Sequence, residues 1–254
     1  MGPSTPVVLT PAPPVIQVAN AIGMRPYQED TYFVKELEVG TLLGVFDGHG
    51  GEACSYECAE SFPTLFEKKI KKNQTPAQWL RAAFALMNRK TELLLDGSAA
   101  SVVFIPKSKE LAVIAILGDS PVIVGTSKGF HVSPEHNART NPKERDAAIA
   151  RGAIYFGGYL RDELSGQGLQ MSRSFGDANL GSFLNRKPQI YQKPIHDFVL
   201  LATDGAFDPG HTNAAGVIQQ VVDLIRNGAT AQQLVNRAVN APTGDNVTCI
   251  LWRK

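Results

Sequence analysis

Three apolar runs in this chain each end in an aspartate, and that repeated pattern constrains the fold more than any other feature. They are Leu42-Leu43-Gly44-Val45-Phe46-Asp47-Gly48, Ala112-Val113-Ile114-Ala115-Ile116-Leu117-Gly118-Asp119 and Phe198-Val199-Leu200-Leu201-Ala202-Thr203-Asp204-Gly205. Each reads as a strand buried on both faces, since a continuous short apolar run bounded by turn formers leaves no face for water. A fourth acid, Asp245, stands immediately before a last such strand, Asn246 to Trp252. One aspartate after a strand is ordinary, because its side chain accepts the hydrogen bonds that begin a turn. Four invite a collective explanation. If the strand ends converge, the carboxylates repel one another and resist desolvation unless cations neutralise them. Hard, oxygen-only donors then select Mg²⁺ or Mn²⁺.

Around these runs, β-rich segments alternate with helical ones. Strands are predicted near 15–23, 31–37, 41–47, 98–106, 110–118, 121–126, 168–172, 189–192, 197–203 and 246–253. Thr75-Pro76-Ala77-Gln78 joins an N-cap, a proline at the first helical position and a capping-box glutamine, and so predicts a helix to about Leu95. Asn141-Pro142-Lys143-Glu144 repeats the device with Gly152 as the stop, and further helices are expected over 51–72, 213–227 and 230–240. The predicted strands 98–106 and 110–118 are separated by only a few residues, which favours antiparallel pairing over βαβ crossovers. Two antiparallel sheets covered by helices fit this order.

The 254 residues are 43% hydrophobic, enough for one substantial core over 15–254. Residues 1–14 hold five prolines and no charged side chain and read as a flexible leader. The 25 basic residues nearly balance the 24 acidic ones, so no overall field draws the chain to nucleic acid or an anionic membrane. No apolar run approaches the roughly 18 residues of a spanning helix. Cys54, Cys58 and Cys249 form no disulfide framework, which points to a reducing compartment, cytoplasmic or nuclear. No heptad appears, and a monomer is expected.

The scattered histidines and cysteines lack zinc-ligand spacing, and neither Cys54 nor Cys58 is followed by the arginine that a cysteine-nucleophile phosphatase needs. His49, on a Gly-flanked turn beside Asp47, would alone be a solvated loop histidine; next to the acids it becomes a candidate general acid. Arg25 precedes Glu29 and Asp30. By itself it would be a surface ion pair, and beside the acids it is a candidate for holding phosphate. The run Lys68-Lys69-Ile70-Lys71-Lys72 reads as a solvated helix C-terminus.

Taken together, these residues resemble those of the type-2C, or PPM, metal-dependent protein serine/threonine phosphatases. The matching blocks are RPYQED (25–30), GVFDGHGG (44–51), DGSAASVVF (96–104), GDS (118–120), SRSFGD (172–177), ATDGAFD (202–208) and DNVTCIL (245–251), in the family's order. The resemblance implies an α+β, four-layer αββα sandwich with two central antiparallel sheets. It implies that Asp47 bridges two Mg²⁺ or Mn²⁺ ions, that the Gly48 carbonyl binds one, and that Asp204 and Asp245 bind the other. Glu29 would act through a water, with Asp30 and Asn246 supporting the ligands, and Asp119 with Asp208 would match a weaker third metal. Arg25 would hold the phosphoryl oxygens and His49 would protonate the leaving oxygen of a phosphoprotein substrate, after direct attack by a water bridging the two ions.

Pro121, Ser98-Ala99-Ala100 and a short segment over 157–168 depart from the family's pattern, without touching a proposed ligand. Two other readings follow from the same residues: a catalytically inactive scaffold of the same fold, and a phosphatase of a small phosphorylated metabolite.

Overall fold

The two longest strands carry almost no polar surface, and their position inside a double sandwich requires it. A computed structural model describes residues 15–207, 214–241 and 244–254. In chain order the first half gives β1 (Val15–Ala21), β2 (Thr31–Leu37), β3 (Gly40–His49), α1 (Ala53–Glu67), α2 (Pro76–Thr91), β4 (Gly97–Pro106), β5 (Leu111–Leu117), β6 (Val122–Thr126) and β7 (Gly129–Val132). The second half gives α3 (Pro142–Ala150), β8 (Ile154–Phe156), β9 (Tyr159–Arg161), β10 (Gly168–Leu169), β11 (Phe175–Gly176), β12 (Gln189–Pro194), β13 (Phe198–Ala202), α4 (Ala214–Arg226), α5 (Ala231–Asn240) and β14 (Val247–Arg253).

The strands form two large antiparallel sheets. Sheet one runs β1-β14-β13-β6-β7; sheet two runs β12-β5-β4-β3-β2, with β11 paired to β4. Period-two alternation divides each central strand between two cores. On β14, Ile250 and Trp252 join Leu43, Val45, Val103, Ile114, Val199 and Leu201 between the sheets, while Val247, Cys249 and Leu251 face outward to α4 and α5. α1 and α2 cover the outer face of sheet two through Phe62, Phe66, Trp79 and Phe84, and the Phe62 and Phe84 rings meet edge-on at 5.0 Å. The order is therefore helices, sheet two, sheet one, helices, the αββα sandwich expected from the resemblance. A smaller sheet, β10-β9-β8, packs with α3 around Ala148 and Leu160.

The helix starts predicted from capping residues at Thr75, Asn141 and Thr230 are realised, while the start expected at 213 lies outside the described residues. Thr75 with Gln78 and Thr230 with Gln233 form capping boxes, and the Asn141 side chain accepts from the Glu144 amide. Several expectations need correction. α1 begins only at Ala53 because Gly50 and Gly51 hold φ of 70° and 143°, outside the helical region. It ends at Glu67, so the Lys68–Lys72 run lies just beyond the helix and not in its last turn. The strand expected over 168–172 stops at Leu169, because the next residues turn to a different partner: the Ala138 amide donates to the Gln170 carbonyl, and Met171 bridges Asn137. Strands β7, β8, β9 and β11 were not anticipated. The leader 1–14 lies outside the described residues.

Candidate active site

Strand ends from both sheets meet at one edge, and the acids of the sequence pattern arrive there from five directions. Asp47, Gly48 and His49 are the last residues of β3, paired with Ala99, Ser98 and Gly97 of β4. Asp119 lies in the turn between β5 and β6, Asp204 opens the short 3₁₀ turn after β13, and Asp245 precedes β14. Asp30 directly precedes β2. Gly48 has no alternative: a Cβ there would collide with the Glu29 carbonyl oxygen and meet Ser55 Oγ at 2.9 Å.

The electrostatics show the convergence. Burial first, then repulsion from Asp204, Asp30, Asp119 and Asp245, pushes the Asp47 carboxyl well above its ordinary range. Asp204 is raised in the same way, by burial and then by Asp119, Asp245 and Asp30. Both side chains are surrounded by protein except toward the cleft, where they keep part of their surface in solvent. Asp30 is raised to about 7 by burial, against the lowering effect of hydroxyls from Thr203 and Thr248, each donating to its Oδ2 at 2.9 Å.

Neutral donors and one cation hold the acids individually. Ser120 Oγ donates to Asp47 Oδ2 at 3.2 Å, and Asn137 Nδ2 donates to Asp119 Oδ2 at 2.8 Å. Asp119 Oδ1 is buried with no hydrogen-bond partner among the described residues. Arg25 stands half-exposed at the rim; it donates to Asp245 Oδ2 and to the Gly244 carbonyl, each at 2.9 Å, and lies 3.7 Å from Glu29 Oε2. The Glu29 carboxylate also accepts from the Gly51 amide at 2.7 Å. Asn246 clips this loop to β14: its Nδ2 donates to the Ile22 and Tyr27 carbonyls and its Oδ1 accepts from the Glu29 amide, at 2.8 to 2.9 Å.

Sequence reasoning missed one partner. His49 Nε2 lies 2.9 Å from Asp177 Oδ1, and Ser174 Oγ donates to the other carboxylate oxygen at 2.5 Å. Asp177 ends the SRSFGD block and sits in the left-handed region, at φ 51°. Its place in the block was visible in the sequence; its pairing across 128 positions was not. Asp208 lies outside the described residues.

Among the described residues, no three acid, histidine or cysteine side chains already stand as a closed coordination shell. The donor set nonetheless fits divalent cations. It is all oxygen, several of its carboxylates are held together against their mutual repulsion, and Asp119 offers a buried oxygen without a donor. Arg25 on Asp245 and the hydroxyls on Asp30 supply part of the compensation that a cation would complete.

Two stacked antiparallel sheets with helices outside and an oxygen-rich acid cluster at their common edge define the architecture. The chain belongs to the protein phosphatase 2C family, whose model matches residues 31–247. It is 29% identical over 249 residues to "Probable protein phosphatase 2C 69" of Arabidopsis thaliana, covering 92% of this chain and 68% of that one. To "Probable protein phosphatase 2C 52" of Oryza sativa subsp. japonica it is 28% identical, covering 90% and 48%. The chain thus spans about half to two thirds of the length of these curated relatives. Among solved structures, a C. elegans sex determining protein superposes with a TM-score of 0.77 at 25% identity, over 94% of this chain and 64% of that one. A serine-threonine phosphatase 2C from Toxoplasma gondii gives 0.73 at 18% identity, over 96% and 98%, a likeness of fold. The family is metal-dependent, generally with Mg²⁺ or Mn²⁺.

Proposed function

We propose that this chain removes phosphate from phosphoserine and phosphothreonine in proteins, using two Mg²⁺ or Mn²⁺ ions and a weaker third. The observation that carries the reading is the gathering of Asp47, Asp119, Asp204 and Asp245 at one seam, flanked by Arg25 and His49. Asp47 would be shared between two ions, with the Gly48 carbonyl completing one set and Asp204 and Asp245 the other. Glu29 would contribute through solvent, and Asp119 with Asp208 would hold the third ion. Bound cations would offset the carboxylate charge, activate water and stabilise the phosphoryl group as the ester breaks.

The remaining work falls to side chains. Arg25, already at the rim beside the acids, presents a guanidinium fork that matches phosphoryl oxygens. Asp177 holds His49 at Nε2, Nδ1 is buried without a partner among the described residues, and the imidazole would give its proton to the departing serine or threonine oxygen. Asp30 and Asn246 act behind the ligands, the first tied to Thr203 and Thr248, the second fixing the Arg25 loop.

Phosphate release from a phosphothreonine peptide, with Mn²⁺ and then with excess EDTA, tests the proposal. Release that EDTA abolishes supports it. No release with either cation from folded protein would sink it and favour the inactive scaffold of the same fold.

A further inference from the structure

A second charged feature lies away from the acid seam. On α2, Arg81, Ala85, Asn88 and Arg89 share one face, because positions four and seven to eight apart stack on a helix. Together with Arg186, Lys187 and Pro188, the segment entering β12, they line a cavity of about 620 Å³. Four cations line this space and no carboxylate does, in a chain whose net charge is only +1. Lys90, next on the helix, is paired with Glu57 at 2.7 Å and does not line the cavity. The Arg81, Arg89 and Lys187 side chains are exposed and make no ion pair among the described residues.

Arg186 differs from the other three. It is half-buried, and its guanidinium donates to the carbonyls of Ser174, Gly176 and Asp177 with no carboxylate among its hydrogen-bond partners. Those carbonyls belong to the turn whose Asp177 carboxylate holds His49. The same turn carries β11, which pairs with Ser98 and Gly97 of β4, and Gly97 in turn pairs with His49. The basic cavity and the His49 side of the cleft are therefore linked through one turn.

The geometry points to this cavity as a docking subsite for a second phosphoryl group on the same phosphoprotein chain that presents its phosphoserine or phosphothreonine to the acid seam. Clustered guanidinium groups recognise phosphate by forked, charge-assisted hydrogen bonds. The cavity lies within the range of side-chain-sized ligand pockets, about 300–1,000 Å³, so it admits a phosphorylated residue with its neighbours and not only a free ion. A substrate segment crossing the Asp177 turn would pass from one place to the other. This inference rests on the phosphatase reading for its substrate, and its test is chosen to be independent of turnover.

Fluorescence anisotropy of the full chain in Mn²⁺ would compare labelled peptides of one sequence whose phosphoryl groups are replaced by non-hydrolysable phosphonates. One carries a single phosphothreonine; the others add a phosphoserine at successive distances from it. The expected result is that at least one doubly phosphorylated peptide binds about tenfold tighter than the single one, the gain of one charge-assisted contact. The Arg81→Ala/Arg89→Ala double variant should lose that gain, while its Mn²⁺-dependent release from p-nitrophenyl phosphate stays at the wild-type rate. The inference is overturned if no spacing tightens binding, if the gain survives in the double variant, or if inorganic phosphate displaces the probe as strongly as the unlabelled doubly phosphorylated peptide. The last outcome would assign the cavity to a free anion. Because binding is read on peptides that cannot be hydrolysed, a failure of Mn²⁺-dependent release would count against the phosphatase reading alone and leave the docking result to stand by itself.

Discussion

Replacing Asp177 by asparagine separates an oriented general acid from a merely buried histidine. The substitution keeps the shape of the side chain and the acceptor for Ser174 Oγ, and it removes the charge 2.9 Å from His49 Nε2. Asparagine also tolerates the left-handed backbone that this position adopts, at φ 51°, so the turn survives. A hydrogen bond to a charged group contributes about 1.5–3 kcal/mol and a neutral one about 0.5–1.5 kcal/mol. The difference, roughly 1–2 kcal/mol for a pair as enclosed as this one, corresponds to a fall of about 5- to 30-fold in kcat. That fall is expected on a phosphothreonine peptide, whose alkoxide must be protonated as it leaves. On p-nitrophenyl phosphate, whose leaving group needs no proton, kcat should change by less than about threefold. Steady-state kinetics on both substrates, with circular dichroism to confirm folding, gives the answer. Equal losses on the two substrates, or none on the peptide, would refute the role assigned to the His49–Asp177 pair.

Three further substitutions probe other parts of the site and its support. Asp204→Asn should lower Mn²⁺-dependent phosphate release by at least about 100-fold, since cation stabilisation is worth several kcal/mol. It should also raise the melting temperature in EDTA, because a buried carboxylate repelled by Asp119, Asp245 and Asp30 is neutralised; a lower melting temperature would contradict that repulsion. Gly97→Ala places a methyl against the Asp177 carboxylate and His49 Nε2, and should reduce the ratio of peptide to p-nitrophenyl phosphate turnover in the same direction as Asp177→Asn. Burial alone would raise Glu144, but Arg173 at 2.5 Å and the Ser172 hydroxyl outweigh it and bring the carboxyl down to about 2. A carboxyl lowered on folding contributes stability that is complete above its ordinary value of 4.5 and disappears as pH falls through 2. Urea titrations should therefore show the wild type losing about 2 kcal/mol more than Glu144→Gln between pH 6 and pH 2; parallel losses would show that the pair contributes nothing.

The parts of the fold legible in the sequence are those with a strong local cause. The runs ending at Asp47, Asp119 and Asp204 are apolar on both faces because they lie at the centre of a four-layer body, and composition alone reveals that. Capping boxes at Thr75 and Thr230 fix helix starts with two reciprocal hydrogen bonds each, so their sequence pattern carries the structure. The unanticipated strands β7, β8, β9 and β11 are two to four residues long, too short for alternation to show, and tertiary pairing defines them. In the site, residue identity marked the acids, but partnership across the chain was invisible. Thr203 and Thr248 read as ordinary strand residues until register places both hydroxyls on Asp30. Asp177 has no role of its own in the SRSFGD block until the β4–β11 pairing brings it against His49.

The division of the acids between the sheets explains why so large a core surrounds so small a site. Asp47 lies near the end of β3 and Asp30 just before β2 in sheet two, Asp204 follows β13 and Asp245 precedes β14 in sheet one, and Asp119 lies on the connection that crosses from β5 to β6. No hairpin could hold these five together, since their repulsion would part the strands. The separation of the two groups is instead set by the apolar layer between the sheets, where Val45, two residues before Asp47, packs in the same cluster as Leu201 and Ile250. That layer is close-packed and poorly compressible, so it transmits strain and resists opening. The polar links that cross the seam, from Thr203 and Thr248 to Asp30 and from Arg25 to Asp245, then need only orient carboxylates that the core already holds near one another. A site of this kind can be weak in its own contacts and still rigid, because its geometry is enforced from below.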